Sequence, residues 1–154
     1  MGADVVQCPP MGGLCVKEKQ EPAAFWKTFG LAALLWAALA AGSELLFPSS
    51  AAAPAGAAGL LRSCLVLPVA EELVFRGAAL RLLRPLGRNA AILGQAVLFA
   101  ALHGSLQAKA YALGMGLLFG WAADRSESLL PGILLHILNN GAVLARCLAE
   151  RGTP

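Results

Sequence analysis

Long apolar runs separated by short polar breaks dominate the chain. From Phe25 to Phe47 it reads FWKTFGLAALLWAALAAGSELLF, nearly uninterrupted. About 20 such residues as helix cross a bilayer core. The stretch therefore predicts a transmembrane helix, with Trp26 and Trp36 as interface anchors. A linker of small residues, PSSAAAPAGAA, follows over 48–58, bounded by Pro48 and Pro54. A second apolar run, 59–80, carries the charges Arg62, Glu71, Glu72 and Arg76. RLLRPLGRN over 81–89 predicts a loop around Pro85 and Gly87. Further runs cover 90–106, 108–123 and 130–148, with a short polar turn at 124–128. Gly116 and Gly120 form a GxxxG, which predicts a close-packing face for another helix. The pattern predicts an all-α, polytopic membrane helical bundle of about five transmembrane helices.

Composition strengthens that reading. The chain is 58% apolar and 14% charged, where soluble domains run about 45–50% and about 25%. Its 154 residues suit one domain. Residues 1–24 are expected to be a disordered cytoplasmic tail and 25–149 the membrane domain. The net charge of +3 is dispersed, so no face for nucleic acid is expected. The N-terminus lacks a charged region followed by an apolar run, so no signal peptide is read. Gly2 invites myristoylation, but Val6 stands where Ser or Thr is wanted. Cys8, Cys15, Cys64 and Cys147 lack metal-site spacing and are read as structural or incidental. Lys17, Lys19 and Lys27 precede the first run; Arg81, Arg84 and Arg88 follow the second. The positive-inside rule then places the N-terminus in the cytoplasm. The Ala, Gly, Leu and Arg bias points to a GC-rich bacterial genome, hence to a bacterial inner membrane.

The polar chemistry inside the runs falls on a few positions. Glu71, Glu72 and Arg76 lie in VAEELVFRG, His103 in VLFAALHGS, and His136, Asn139 and Asn140 in GILLHILNNG. A charge at a membrane helix centre costs about 2.5–3.5 kcal/mol on the insertion scale. Two carboxylates and a guanidinium in one span forfeit roughly 8–10 kcal/mol before pairing or snorkelling returns any of it. Such groups normally face the bundle interior and pair. Glu72 and Arg76 are an i,i+4 pair, while Glu71 is rotated by about 100° and left to face a cavity. His136 and Asn140 are also i,i+4, two donors that an oxyanion hole could use. A carboxylate beside a neutral imidazole can position a water and take its proton.

Each part has a plainer reading. Glu72–Arg76 can be a structural ion pair, Arg76 can snorkel, His103 can cap an interfacial helix end, and Asn139-Asn140-Gly141 can mark a kink. Buried Glu and His also serve proton-coupled or ion-binding transporters. His103, His136 and Glu71 could hold zinc, although no HExxH is present.

At these residues the chain resembles the family of CAAX proteases and bacteriocin-processing enzymes, which includes the type II CAAX prenyl endopeptidases. The family pattern EExxxR, FxxxH and HxxxN is met by Glu71-Glu72 to Arg76, by Phe99 to His103, and by His136 to Asn140, in that order. The resemblance covers about Gly59 to Leu148. It implies a four-helix catalytic core and a glutamate-type intramembrane endopeptidase without a cofactor. In it Glu71 is the general base, His103 helps activate the water, and His136 with Asn140 holds the oxyanion. Glu72, Arg76 and Phe99 are supporting. The implied partners are the lipid bilayer and a membrane protein substrate, either a lipidated CAAX tail or another C-terminal sorting tail. Family members commonly have more helices, so an accessory membrane partner is also expected. A catalytically silent scaffold or immunity protein on the same fold is the remaining alternative.

Overall fold

The computed structural model describes residues 22–46 and 56–151, and these form five helices with no strands. The expected cytoplasmic tail up to Glu21 and the linker from Phe47 to Ala55 lie outside the described residues. α1 is Pro22–Leu46. α2 runs over 56–83 and is built from Gly56–Leu61, a π turn Arg62–Val66, Leu67–Glu72, a second π turn Leu73–Ala79, and Leu80–Leu83. The residues at these joints keep φ between −57° and −66°, so the rod is continuous. α3 is Arg88–Ala101, α4 is Leu106–Ser126 and α5 is Leu130–Arg151.

The first π turn has a local cause. Pro68 has no N–H to donate and crowds the preceding turn. The Leu67 N–H accordingly reaches back five residues to the Arg62 carbonyl. In that register the next donor, for the Ser63 carbonyl, would be Pro68, which has none. The Ser63 carbonyl is left to find a partner elsewhere.

Three boundaries differ from the sequence expectation. The loop over 81–89 is mostly helical: Arg84–Leu86 is a 3-10 turn, and the chain reverses at Gly87 with φ 100°. An L side chain rarely adopts that φ, so one glycine makes the reversal. The third run does not reach Leu106, because α3 stops at Ala101. Ser105 then caps α4, its Oγ accepting from the Ala108 N–H at 3.1 Å, so α4 begins two residues earlier than expected. The polar turn at 124–128 is also shorter, since Asp124 belongs to α4 and pairs with Arg84 and Arg88 across the Gly87 reversal.

α3 and α4 make the most extensive helix contact. A Cβ at Gly116 would stand 2.8 Å from the Ala96 Cα. Gly120 faces Gln95 with no room for a side chain. The GxxxG therefore packs against α3. Phe75, Phe99, Phe119, Met115 and Leu135 fill the centre of the bundle. Among the described residues two helices, α1 and α5 over Leu130–Ala149, are long and apolar enough to cross a bilayer. The 14 residues of α3 extend only about 21 Å. Trp26 is exposed, as an interface anchor would be, but Trp36 is not such an anchor: its Nε1 donates to Asn139 Oδ1 at 3.2 Å.

Candidate active site

The site sits where the middle of α2 meets the first half of α5. Glu72 is fully buried and Arg76 is 1% exposed. Arg76 Nη1 lies 2.9 Å from Glu72 Oε1, the expected i,i+4 pair. The guanidinium is stacked between rings, 4.6 Å from the centroid of Phe99 and 5.5 Å from that of Phe119. Such stacking stabilises a desolvated cation. The ion pair is close by distance, yet no guanidinium nitrogen has hydrogen-bond geometry to an acceptor among the described residues.

His136 completes the centre. Its Nδ1 is 2.9 Å from Glu72 Oε1, and its Nε2 is 3.4 Å from Glu71 Oε2. One imidazole thus stands between the carboxylates of two adjacent residues. They differ in access, for the Glu71 side chain is 36% exposed while that of Glu72 is closed off. Gly132, one turn before His136, presses against Glu72 Oε2 with no space for a side chain. The absence of a Cβ at that point lets α5 approach the carboxylate.

His103 belongs to the turn after α3. Its Nδ1 is 3.0 Å from the Phe99 carbonyl, which can only accept, so Nδ1 carries the hydrogen. The neutral ring then has its lone pair on Nε2. The Phe99 ring links the two histidines, edge to face with His103 at 4.9 Å and with His136 at 5.8 Å. His103 makes no ion pair with either glutamate. Among the described residues no group of three or more His, Cys, Asp or Glu side chains is arranged to hold a metal ion, so His103, His136 and Glu71 are not gathered as one ligand set.

Asn140 already has one N–H engaged. Its Nδ2 donates to the Ser63 carbonyl at 2.9 Å, the acceptor that Pro68 leaves without a helical partner. Its Oδ1 accepts from Asn139 Nδ2 at 3.2 Å. Asn139 Oδ1 in turn accepts from Tyr111 Oη at 2.6 Å and from Trp36 Nε1 at 3.2 Å. These bonds tie α1, α2, α4 and α5 together and fix which way both amides point. An amide nitrogen has two hydrogens, so Asn140 keeps one beyond its bond to Ser63. The sequence reading missed Tyr111 and the role of Trp36. It also missed Gln95, fully buried, which donates to the Gly116 carbonyl at 2.7 Å. Only Pro68 inside an apolar helix carried a legible signal, that of a freed carbonyl nearby.

The family model for type II CAAX prenyl endopeptidase, Rce1-like, matches residues 53–142, more than half of the chain. The chain belongs to the Rce1-like family. Its members are membrane-embedded peptide hydrolases of the CAAX type, which is the activity class of this Rce1-like chain. The match begins a few residues before the expected core and takes in all three motifs. No curated relative and no solved structure matches the chain.

Proposed function

We propose that this Rce1-like chain is a glutamate-type intramembrane endopeptidase. It hydrolyses a peptide bond in a membrane-anchored protein or in a lipidated or C-terminal tail. The observation that carries the reading is the His136 ring set between a closed carboxylate, Glu72, and an accessible one, Glu71. Glu71 takes a proton from water as the oxygen attacks the scissile carbonyl. His103, its Nδ1 held by the Phe99 carbonyl, offers Nε2 as the second partner of that water. With hydrogens on both ring nitrogens of His136, its Nε2–H and the remaining N–H of Asn140 hold the developing oxyanion. Glu71 then passes its proton to the leaving amine as the C–N bond breaks. Glu72 and Arg76 hold the ring of His136 in place.

Glu71→Gln keeps the shape and removes the base. In detergent, with a membrane-anchored peptide as substrate, cleavage should fall by about 10²–10⁴-fold while the protein stays folded. Full cleavage by that variant at equal protein level would end the reading. No cofactor is needed in this scheme, so activity should survive exhaustive chelation. Loss in chelator with recovery on adding zinc would move the role to a metal.

The proposed setting is a bacterial inner membrane with the N-terminus and the Arg84 end of α2 in the cytoplasm. A reporter fused after Arg84 that reads as external would overturn that orientation. An accessory membrane partner would supply what so small a bundle lacks for docking substrate.

A further inference from the structure

The hydrogen bonds beside Asn140 run further than the proposed reaction uses. Asn140 Nδ2 donates to the Ser63 carbonyl at 2.9 Å, and Asn140 Oδ1 accepts from Asn139 Nδ2 at 3.2 Å. Asn139 Oδ1 accepts from Trp36 Nε1 at 3.2 Å and from Tyr111 Oη at 2.6 Å.

The second N–H of Asn140 is the oxyanion donor of that reaction, and its direction depends on the plane of the amide. The last torsion of an asparagine is broad. Held at Nδ2 alone, the amide could swing about its bond to Ser63 and carry that N–H with it. Held at Oδ1 as well, it has one plane. The bond from Asn139 therefore sets where the second N–H points.

Trp36 decides which way Asn139 faces. An indole N–H only donates, whereas a Tyr hydroxyl can donate or accept. Only Oδ1 of Asn139 can meet the indole, so its Nδ2 is turned to Asn140. Tyr111 adds a second donor to the same oxygen. Turned over, Asn139 would set its Nδ2 against the indole N–H and its oxygen against that of Asn140, two repulsive contacts.

α1 is held in place to deliver Trp36. About two turns beyond Trp36 on α1, Glu44 pairs with Arg146, which lies about two turns beyond Asn139 on α5. An ion pair and a hydrogen bond thus join the same two helices at two levels. α1 nevertheless lies outside the residues matched to the family, 53–142.

We propose that Trp36 and Tyr111 are positioning residues for the oxyanion donor, acting through Asn139 to hold the Asn140 amide in one plane. The inference rests on the endopeptidase reading and deepens it. It gives α1 a part in turnover as well as in anchoring. A preorganised donor lowers the barrier only while it is aimed at the forming oxyanion. Loss of aim therefore shows in kcat and not in KM.

The test measures kcat, KM and thermal unfolding of the whole chain in detergent, with a membrane-anchored peptide as substrate. Tyr111→Phe and Trp36→Phe should each lower kcat per folded molecule by about 3–10-fold, the worth of one neutral hydrogen bond, and leave KM unchanged. Asn139→Leu should lose more, approaching the loss in Asn140→Ala, on the order of 10²–10³-fold. Trp26→Phe, exposed on the same helix, should change neither constant. The deciding measurement is Tyr111→Phe in the Asn140→Ala background. There a group that acts through Asn140 has nothing left to aim, so kcat should fall no further. The same loss repeated in that background would show that Tyr111 acts elsewhere and would overturn the proposal. So would wild-type kcat in both Tyr111→Phe and Trp36→Phe, or a raised KM at unchanged kcat. If Asn139→Leu fails to fold, these two variants still decide. A wild-type chain that cleaves nothing refutes the endopeptidase reading and this proposal with it, whereas those outcomes in a cleaving chain refute this proposal alone.

Discussion

The two halves of the bundle hold themselves together by different means. α3 and α4 meet at glycines, Ala96 against Gly116 and Gln95 against Gly120, with one Gln95 amide bond to the Gly116 carbonyl, in unbroken α-helices. α2 and α5 meet through ionisable and amide side chains, and α2 carries two π turns. Close van der Waals packing is the ordinary way membrane helices associate. Buried carboxylates are expensive, and π turns gather at functional sites. The difference separates a half held by close packing from a half held by buried ionisable groups, with His103 at the turn after α3. Arg76 joins them, being paired on α2 and stacked on rings from α3 and α4.

Substitutions can break that contrast. The largest effect on stability is expected from Glu72→Gln. It leaves Arg76 buried without a counter-charge, which typically costs about 3–5 kcal/mol. The glutamine oxygen can still accept from His136 Nδ1, so turnover per folded molecule should fall less than the folded fraction. Thermal unfolding alongside cleavage rate would check this. A stable but inactive Glu72→Gln would make Glu72 the base.

Asn140→Ala comes next. Removing one oxyanion donor costs on the order of 10²–10³ in kcat. The same change exposes the Ser63 carbonyl, so a smaller loss of stability accompanies it. A variant with wild-type kcat and lowered stability would reduce Asn140 to a cap for that carbonyl.

Gly116→Leu should act the other way round. Its Cβ would meet backbone of Ala96 at 2.8 Å, and overpacking of this kind costs typically 1–3 kcal/mol. Midpoint temperature should drop while kcat per folded molecule holds within about twofold. A fall in kcat as large as that of Asn140→Ala would erase the distinction between the halves.

The legible parts of the molecule were those written in local pattern. α1 and α5 were readable because each is a long apolar run, and α2 was readable despite its charges. The i,i+4 pairing of Glu72 with Arg76 followed from helical spacing and is present. A turn at Gly87 was expected, but the extent of helix before it was hidden, because an Arg-, Pro- and Gly-containing stretch looks like a loop, whereas the helix persists to Leu86, next to the positive φ of Gly87. The end of α3 was hidden because Ser105 acts as a cap within a mostly apolar stretch. The partners of Asn139 were out of reach altogether. Trp36 lies 103 residues away and Tyr111 28, and no local rule brings such residues together. The bracketing of His136 by both glutamates likewise depends on how α5 crosses α2, which Gly132 permits.

The shortness of α3 bears on where the reagent comes from. Hydrolysis consumes water, and hydrocarbon holds almost none. At 14 residues, α3 is about 9 Å short of a hydrocarbon layer near 30 Å thick. Lipid beside such a helix thins, or its headgroups dip, to meet the helix end. With the Gly87 reversal at one membrane face, the deficit would fall at Leu102–Ser105, the turn that holds His103. A dimple there would bring the aqueous phase several ångströms inward, so that on the proposed mechanism a truncated helix would act as the intake for the solvent the reaction uses up.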